Sequence, residues 1–232
     1  MKKEEFCELV GNRGLELSKR QRQQLDEYAS FLAEYNEKIN LTAITDYEEV
    51  LEKHFYDSLL PFFGRKMEGT LADVGTGAGF PGVVLKICYP DLHVILIEPL
   101  KKRCVFLEEL IERLGLKDIE VLNERGEDHS LDHREAYDLV TARAVSNLNA
   151  LIEVCGAMVK ENGYFIALRG SSGEEEIQEA QKAIETMGFE IENVREEGLP
   201  DGSKRVIGDL KKVRKTPKKY PRKYSIIKQK RL

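Results

Sequence analysis

The chain has 232 residues, 41% of them hydrophobic, and a formal net charge of -5. That length holds one main α/β core with a small extra lobe and excludes two full domains, and no apolar run approaches the roughly 18 residues of a membrane span. Cys7, Cys88, Cys104 and Cys155 are scattered without a Cys-x-x-Cys pair and the start MKKEEFCELV lacks an apolar signal core. The expectation is a cytoplasmic protein with no metal site, disulfide framework or membrane association.

The charge is unevenly spread. Residues 204–232 hold 13 Lys and Arg against one acid, Asp209, so the preceding chain carries 23 bases and 40 acids. An acidic body with a basic tail points to a polyanion met by one end, or to a solvated terminus.

In chain order, the first clear signal is a helix opening at Ser18, a good N-cap, with Leu25, Tyr28, Leu32, Tyr35 and Ile39 at spacings of three and four. The aromatics Tyr28, Phe31 and Tyr35 read as packing against the rest of the protein. A second helix is predicted from Asp46 to just before Gly64. Together these make an N-terminal helical lobe, residues 1–66. The pattern then changes to short apolar runs separated by helices: TLADV, HVILIE, IEVL, YDLVTA and YFIALR. Such alternation predicts a parallel, doubly wound sheet over residues 67–213. Pro81 suits a first helical turn, Gly115 ends the helix KKRCVFLEELIERL, and Asn147 caps the next. FEIENV and RVIGDLKKV are read as a final antiparallel pair. Residues 214–232, rich in Pro, Lys and Arg, are read as an extended basic tail.

The stretch DVGTGAGFPG, Asp73 to Gly82, follows the first predicted strand. Glycines there let the backbone approach a ligand at the carboxyl edge of the sheet. Gly77 to Gly82 literally matches the dinucleotide fingerprint G-x-G-x-x-G. That fingerprint normally begins at the strand end, however, and here the strand end is followed first by Gly75, with Asp73 before it. The order Asp-x-Gly-x-Gly-x-Gly resembles motif one of S-adenosylmethionine-dependent methyltransferases, with Asp73, Gly75, Gly77 and Gly79 as the cofactor loop. Glu98, ending the next strand, is placed to accept from ribose hydroxyls of either class of nucleoside.

YNEKINLTAI, HFYDSLL, DVGTGAGFPG, RGED, TARAVSNLN, ALRG and KTPKKYPRK occur in that order. Together they resemble the bacterial 16S rRNA guanine-N7 methyltransferase family, also called the glucose-inhibited division protein B family, over nearly the whole chain. The resemblance implies a class I S-adenosylmethionine-dependent methyltransferase fold, Rossmann-like, with an N-terminal helical lobe. It implies S-adenosyl-L-methionine as cofactor, with contacts at Gly75, Phe80, Gly126, Glu127 and Arg143, and Glu98 at the ribose. It implies substrate-step arginines at Arg125, Arg143 and Arg205, and 16S rRNA or the small ribosomal subunit as partner to a monomeric enzyme. The chain departs from the family's pattern at Arg169 and in the terminal YSIIKQKRL, which lacks the common glycine and proline.

Methyl transfer from a sulfonium is an in-line displacement in which alignment and exclusion of water do most of the work. Guanine N7 has a free lone pair and no proton in the neutral base, so no general base is needed. The chain lacks an Asn/Asp-Pro-Pro-aromatic motif after the fourth strand, where it has Thr141-Ala142-Arg143-Ala144-Val145, and this argues against amino-group methylation. Cys104 and Cys155 fall within predicted amphipathic helices and read as buried thiols rather than nucleophiles. The arginines suit phosphate, guanine O6 or base stacking, although Arg125 beside Glu124 and Glu127 also suits a surface ion pair. His54 is expected to bond a nearby carboxylate such as Asp57. The rivals are an NAD-dependent oxidoreductase and an RNA-binding ribosome-assembly factor that keeps the cofactor fold.

Overall fold

A computed structural model describes residues 1–143 and 147–232. The strands are β1 (Thr70–Val74), β2 (His93–Ile97), β3 (Ile119–Leu122), β4 (Tyr137–Arg143), β5 (Val159–Arg169), β6 (Phe189–Gly198) and β7 (Lys204–Lys212). They form one seven-stranded sheet in the order β3-β2-β1-β4-β5-β7-β6. β1 to β5 run parallel, while β7 is antiparallel to both its neighbours, β5 and β6. The doubly wound sheet and the final antiparallel pair agree with the sequence pattern. β5 begins five residues before the predicted YFIALR run. Its early part pairs Val159 with Tyr137 across a register shift, and Asn162 turns back with φ 67°.

Strand periodicity of two sorts the sheet's side chains onto two faces. Leu71, Leu96, Leu139, Ile166 and Ile207 point into one apolar cluster, and Ala72, Val74, Ile97, Val140, Phe165 and Leu210 into the other. The first cluster is completed by the N-terminal helices. In the helix Lys19–Asn36, capped by Ser18 accepting from Gln21 N, Leu25, Tyr28 and Leu32 are buried. Phe31 stacks on Phe106, with ring centroids 5.5 Å apart. Each such side chain contributes about 1.5 to 3 kcal/mol by leaving water, so these helices share the sheet's core.

The second predicted helix forms, with a local change of pitch: Tyr47–Val50 is α, Leu51–Tyr56 a π-helical turn, Asp57–Leu59 α and Leu60–Phe62 a 3₁₀ turn. The wider turn carries His54 and ends just before Asp57. Among the parallel strands, Gly115 closes the helix Lys101–Leu114 in the left-handed conformation at φ 62°, and Asn147 caps Leu148–Gly156 by accepting from Ala150 N. Ala144 and Val145, which follow Arg143, lie outside the described residues.

The tail differs from the extended expectation. It ends in the helix Tyr224–Gln229, and Tyr220 and Ile227 are buried in the second cluster. Arg134 donates to the carbonyls of Thr216 (2.7 Å) and Tyr220 (2.6 Å), while Arg222 forks onto the fully buried Glu153 at 2.7 and 2.6 Å. Apolar burial and a buried counter-charge override the solubility that the tail's composition suggests. No described helix is long and apolar enough to cross a membrane.

Candidate functional site

The strand order reverses between β1 and its two neighbours, β2 and β4, which opens a crevice at the carboxyl edge. Two adjoining cavities lie there, sharing Gly75 and Pro99. The larger, about 470 Å³, is walled by residues including Thr42, His54, Gly75, Gly77, Phe80, Glu98, Arg103 and Arg143. The smaller, about 90 Å³, is walled by Val74, Gly75, Pro99, Arg125, Gly126, Glu127, Leu151, Val154 and Tyr224.

The turn after β1 is held from beneath. Asp73 is fully buried, and its Oδ2 accepts from Thr76 Oγ1 at 2.6 Å and Gly82 N at 2.8 Å. Burial pushes this carboxyl up to about 6, against the pull of those two hydrogen bonds. Asp73, expected at the cofactor, is therefore a brace for the turn and lies on neither cavity wall. Gly79 is likewise off the walls. A Cβ there would meet Tyr28 Oη and Val83 Cγ2 at 2.7 Å, so glycine is required by helix packing.

Gly77 is different. With φ 63°, its absent side chain would meet no protein atom closer than Gly75 O at 4.0 Å, so a Cβ would enter the larger cavity. The turn thus offers bare backbone to a ligand. Glu98, 1% exposed, faces the same space and accepts from Gly77 N and Leu100 N, each at 3.0 Å. Each of its oxygens keeps a second lone pair for a ribose hydroxyl. Bare backbone, a buried acceptor and an apolar annex fit S-adenosylmethionine.

Phe80 forms the floor of the larger cavity. His54 stacks on it with centroids 4.4 Å apart, Tyr28 lies 5.4 Å away, and the Arg143 guanidinium sits 4.9 Å from its centre. Arg143 ends β4 and donates to Asp57 Oδ2 at 3.3 Å and to His54 Nδ1 at 3.4 Å. Since a guanidinium only donates, His54 Nδ1 accepts and Nε2–H points to Thr42 Oγ1 at 2.9 Å. Burial, reinforced by the Arg143 charge, lowers the His54 pKa to about 4, so the ring is neutral. His54 does bond a charged partner, but that partner is Arg143 and not the expected Asp57.

Asp57 instead joins two of the three expected arginines. Arg205, at the start of β7, donates Nε to Asp57 Oδ1 at 2.7 Å. The carboxylate side chain is only 6% exposed. Antiparallel pairing of β7 with β5 brings Arg205 to the same sheet edge as Arg143. Arg125 stands apart, on the wall of the smaller cavity. Its Nε pairs with Glu127 at 2.5 Å, the local ion pair its sequence neighbours suggested, and its guanidinium lies 5.3 Å from the Tyr224 ring. Gly126 packs against Val74 and Val154, where a Cβ would meet atoms at 2.6 and 3.0 Å.

Sequence reasoning missed Thr42, Arg103 and Tyr224 as walls of this site. Thr42 lies within YNEKINLTAI and the three-residue step from His54 to Asp57 was visible on a helix; Arg103 carried no signal, and Tyr224 stood out only as an aromatic within the basic tail. Cys104 and Cys155 are buried, and burial raises both thiols, which suits packing rather than nucleophilic attack.

Comparison with known proteins gives the family and the fold. The family model described as rRNA small subunit methyltransferase G matches residues 21–204. The chain is 47% identical over 225 residues to the Ribosomal RNA small subunit methyltransferase G of Bacillus subtilis (strain 168), covering 95% of this chain and 94% of that one. It is 46% identical to the protein of that name from Lactobacillus acidophilus, covering 96% and 95%. Among solved structures, M. jannaschii TYW2 in complex with AdoMet superposes with a TM-score of 0.55 at 16% identity, over 66% of this chain and 73% of that one. A SAM dependent methyltransferase from Aquifex aeolicus does so at 0.53 and 22%, over 70% and 93%. These two share the fold, and the closer relatives share the sequence throughout: the chain belongs to the rRNA small subunit methyltransferase G family.

Proposed function

We propose that the chain transfers a methyl group from S-adenosylmethionine to N7 of a guanine in the 16S RNA of the small ribosomal subunit. The observation that carries this reading is the single cavity in which the bare Gly77 backbone and Glu98 face Arg143, itself tied through Asp57 to Arg205. When bound, S-adenosylmethionine would supply an electrophilic methyl carbon with a neutral thioether, S-adenosylhomocysteine, as leaving group, so that the bond from N7 to carbon would form in line as the carbon–sulfur bond breaks.

The chain's own residues then orient and desolvate. Gly75 and Gly77 admit the cofactor's backbone-facing edge, Phe80 supports it, and Glu98 accepts from the ribose. Gly126 and Glu127 stand at the smaller cavity. Arg143 and Arg205, fixed in relation to each other by one carboxylate, offer donors to a phosphate or to guanine O6 beside N7. Arg125 serves the third such role from the smaller cavity's rim. Neutral His54 has its Nδ1 turned to Arg143 and so acts as a spacer rather than a base, in keeping with an acceptor atom that carries no proton.

On this reading the enzyme works as a monomer in the cytoplasm and without a metal. Exposed Lys218, Lys219, Lys223, Lys228 and Lys230 on the tail meet the RNA backbone. The test is mass spectrometry of ribosomal RNA from cells lacking the protein, with and without its restoration. Loss of one 7-methylguanosine, returned by the wild-type chain and not by Arg143→Ala, is expected. Unchanged 7-methylguanosine content would refute the reading.

A further inference from the structure

The C-terminal helix Tyr224–Gln229 reaches a place that the tail's composition does not foreshadow: Tyr224 forms part of the wall of the smaller cavity. The same cavity is lined by Val74 at the end of β1, Pro99 after β2, and Leu151 and Val154 of the helix Leu148–Gly156. The cavity is therefore narrow and mostly apolar, with an aromatic ring on one side. It adjoins the turn at Gly75 and the segment just after Glu98, the ribose acceptor. What extends from a ribose held at Glu98 into a narrow apolar slot is a flat heteroaromatic base. Resting on the proposed reading of the larger cavity, we infer that Tyr224 is a positioning residue for the cofactor, closing the outer side of its adenine pocket.

Three features hold the ring in place. Arg222, two residues earlier, grips Glu153 with its backbone N–H (3.0 Å) and with Nε and Nη2 along one edge of its guanidinium (2.7 and 2.6 Å). Glu153 is wholly buried and lies on the same helix as Leu151 and Val154, so the latch and the pocket wall share one rigid element. Arg222 Nη2 also donates to the carbonyl of Lys230 at 2.9 Å, tying the start of the terminal helix to its end. One turn on from Tyr224, Ile227 is fully buried in the second core cluster. On the cavity side, the Arg125 guanidinium lies 5.3 Å from the Tyr224 ring, within range of a cation–π contact, and its Nε is held by Glu127. Arg125 thereby joins the tail to the helix Gly126–Asp132.

The measurement is calorimetric binding of S-adenosylmethionine, S-adenosylhomocysteine and plain adenosine to the full-length wild-type protein, Tyr224→Ala and Tyr224→Phe. Tyr224→Ala is expected to weaken all three about tenfold, the scale of one base–aromatic contact. Tyr224→Phe keeps the ring and should stay within about twofold of wild type. The steady-state KM for S-adenosylmethionine should rise in the alanine variant while kcat and the KM for RNA change little. Because Tyr224 is only half-buried, the urea midpoint serves as a control for folding and should barely move. Equal affinities for wild type and Tyr224→Ala would overturn the inference while leaving the proposed function standing. A wild-type protein that bound none of the three ligands would overturn both.

Discussion

Asp57→Ala removes the anion shared by two arginines, and its cost can be worked from the geometry. Arg205 Nε lies 2.7 Å and Arg143 Nη1 3.3 Å from different oxygens of the same carboxylate. The side chains are 6%, 23% and 17% exposed for Asp57, Arg205 and Arg143, so water screens the group poorly. Removing one partner from a buried pair costs about 3 to 5 kcal/mol, chiefly because the remaining charge stays desolvated. Arg143 would keep His54 Nδ1 and the face of Phe80, and Arg205 would keep the carbonyl of Lys204. We therefore take the lower end, about 3 kcal/mol. At an m-value of about 1 to 3 kcal/mol per molar, that moves the urea midpoint by about 1 to 3 M. Methyl transfer should fall more steeply than cofactor affinity, since Arg205 is off the cavity wall. A double-mutant cycle of Asp57→Asn with Arg205→Ala should give a coupling of about 1.5 to 3 kcal/mol, the range for a charge-assisted hydrogen bond. Additivity within about 0.5 kcal/mol, or wild-type stability and turnover in Asp57→Asn, would refute the shared-anchor argument.

Glu98→Ala should weaken S-adenosylmethionine binding by about 1 to 3 kcal/mol, because Gly77 N and Leu100 N lose their acceptor along with the ribose; calorimetry with NAD as the non-binding comparison checks it. Gly77→Val should abolish that binding by filling the cavity, and retained affinity would remove the turn from the site. His54, with its folded pKa lowered to about 4, contributes stability that is fully present above about pH 6.5 and is lost as the pH falls through 4. Between pH 7.5 and pH 5 that loss is about 2 kcal/mol at 1.36 kcal/mol per unit, so His54→Gln should flatten the pH dependence of the urea midpoint over this window. Replacing Lys218, Lys219 and Lys223 with Gln should lower the slope of log RNA affinity against log salt by about 2 to 3 if each meets a phosphate; an unchanged slope would release the tail from that role. Truncation at residue 212 is a poorer test, because it strips Glu153 of Arg222 and the core of Ile227.

The sequence by itself determined the sheet and the glycine turn at its carboxyl edge. Period-two apolar runs set the strands, Ser18, Gly115 and Asn147 marked helix ends, and the register of Gly75 and Gly77 against β1 placed bare backbone at the crevice. These are local rules, in which each residue's neighbours along the chain decide its conformation. The tertiary structure decided which similar residues do different things. Gly77 opens to the cavity and Gly79 packs on Tyr28, although two positions apart they look alike in sequence. Asp73 is buried beneath the turn and braces it while Glu98 lines the larger cavity, although both are acids beside the ends of neighbouring strands. Asp57 is bound to Arg143 and Arg205 across separations of 86 and 148 residues, set by helix packing and by the antiparallel insertion of β7. The tail shows the contrast most clearly: its charge density reads as solvated, yet a single buried carboxylate, Glu153, and the apolar side chains of Tyr220 and Ile227 fold it onto the sheet domain. Burial is a property of the three-dimensional neighbourhood, and composition along the chain does not contain it.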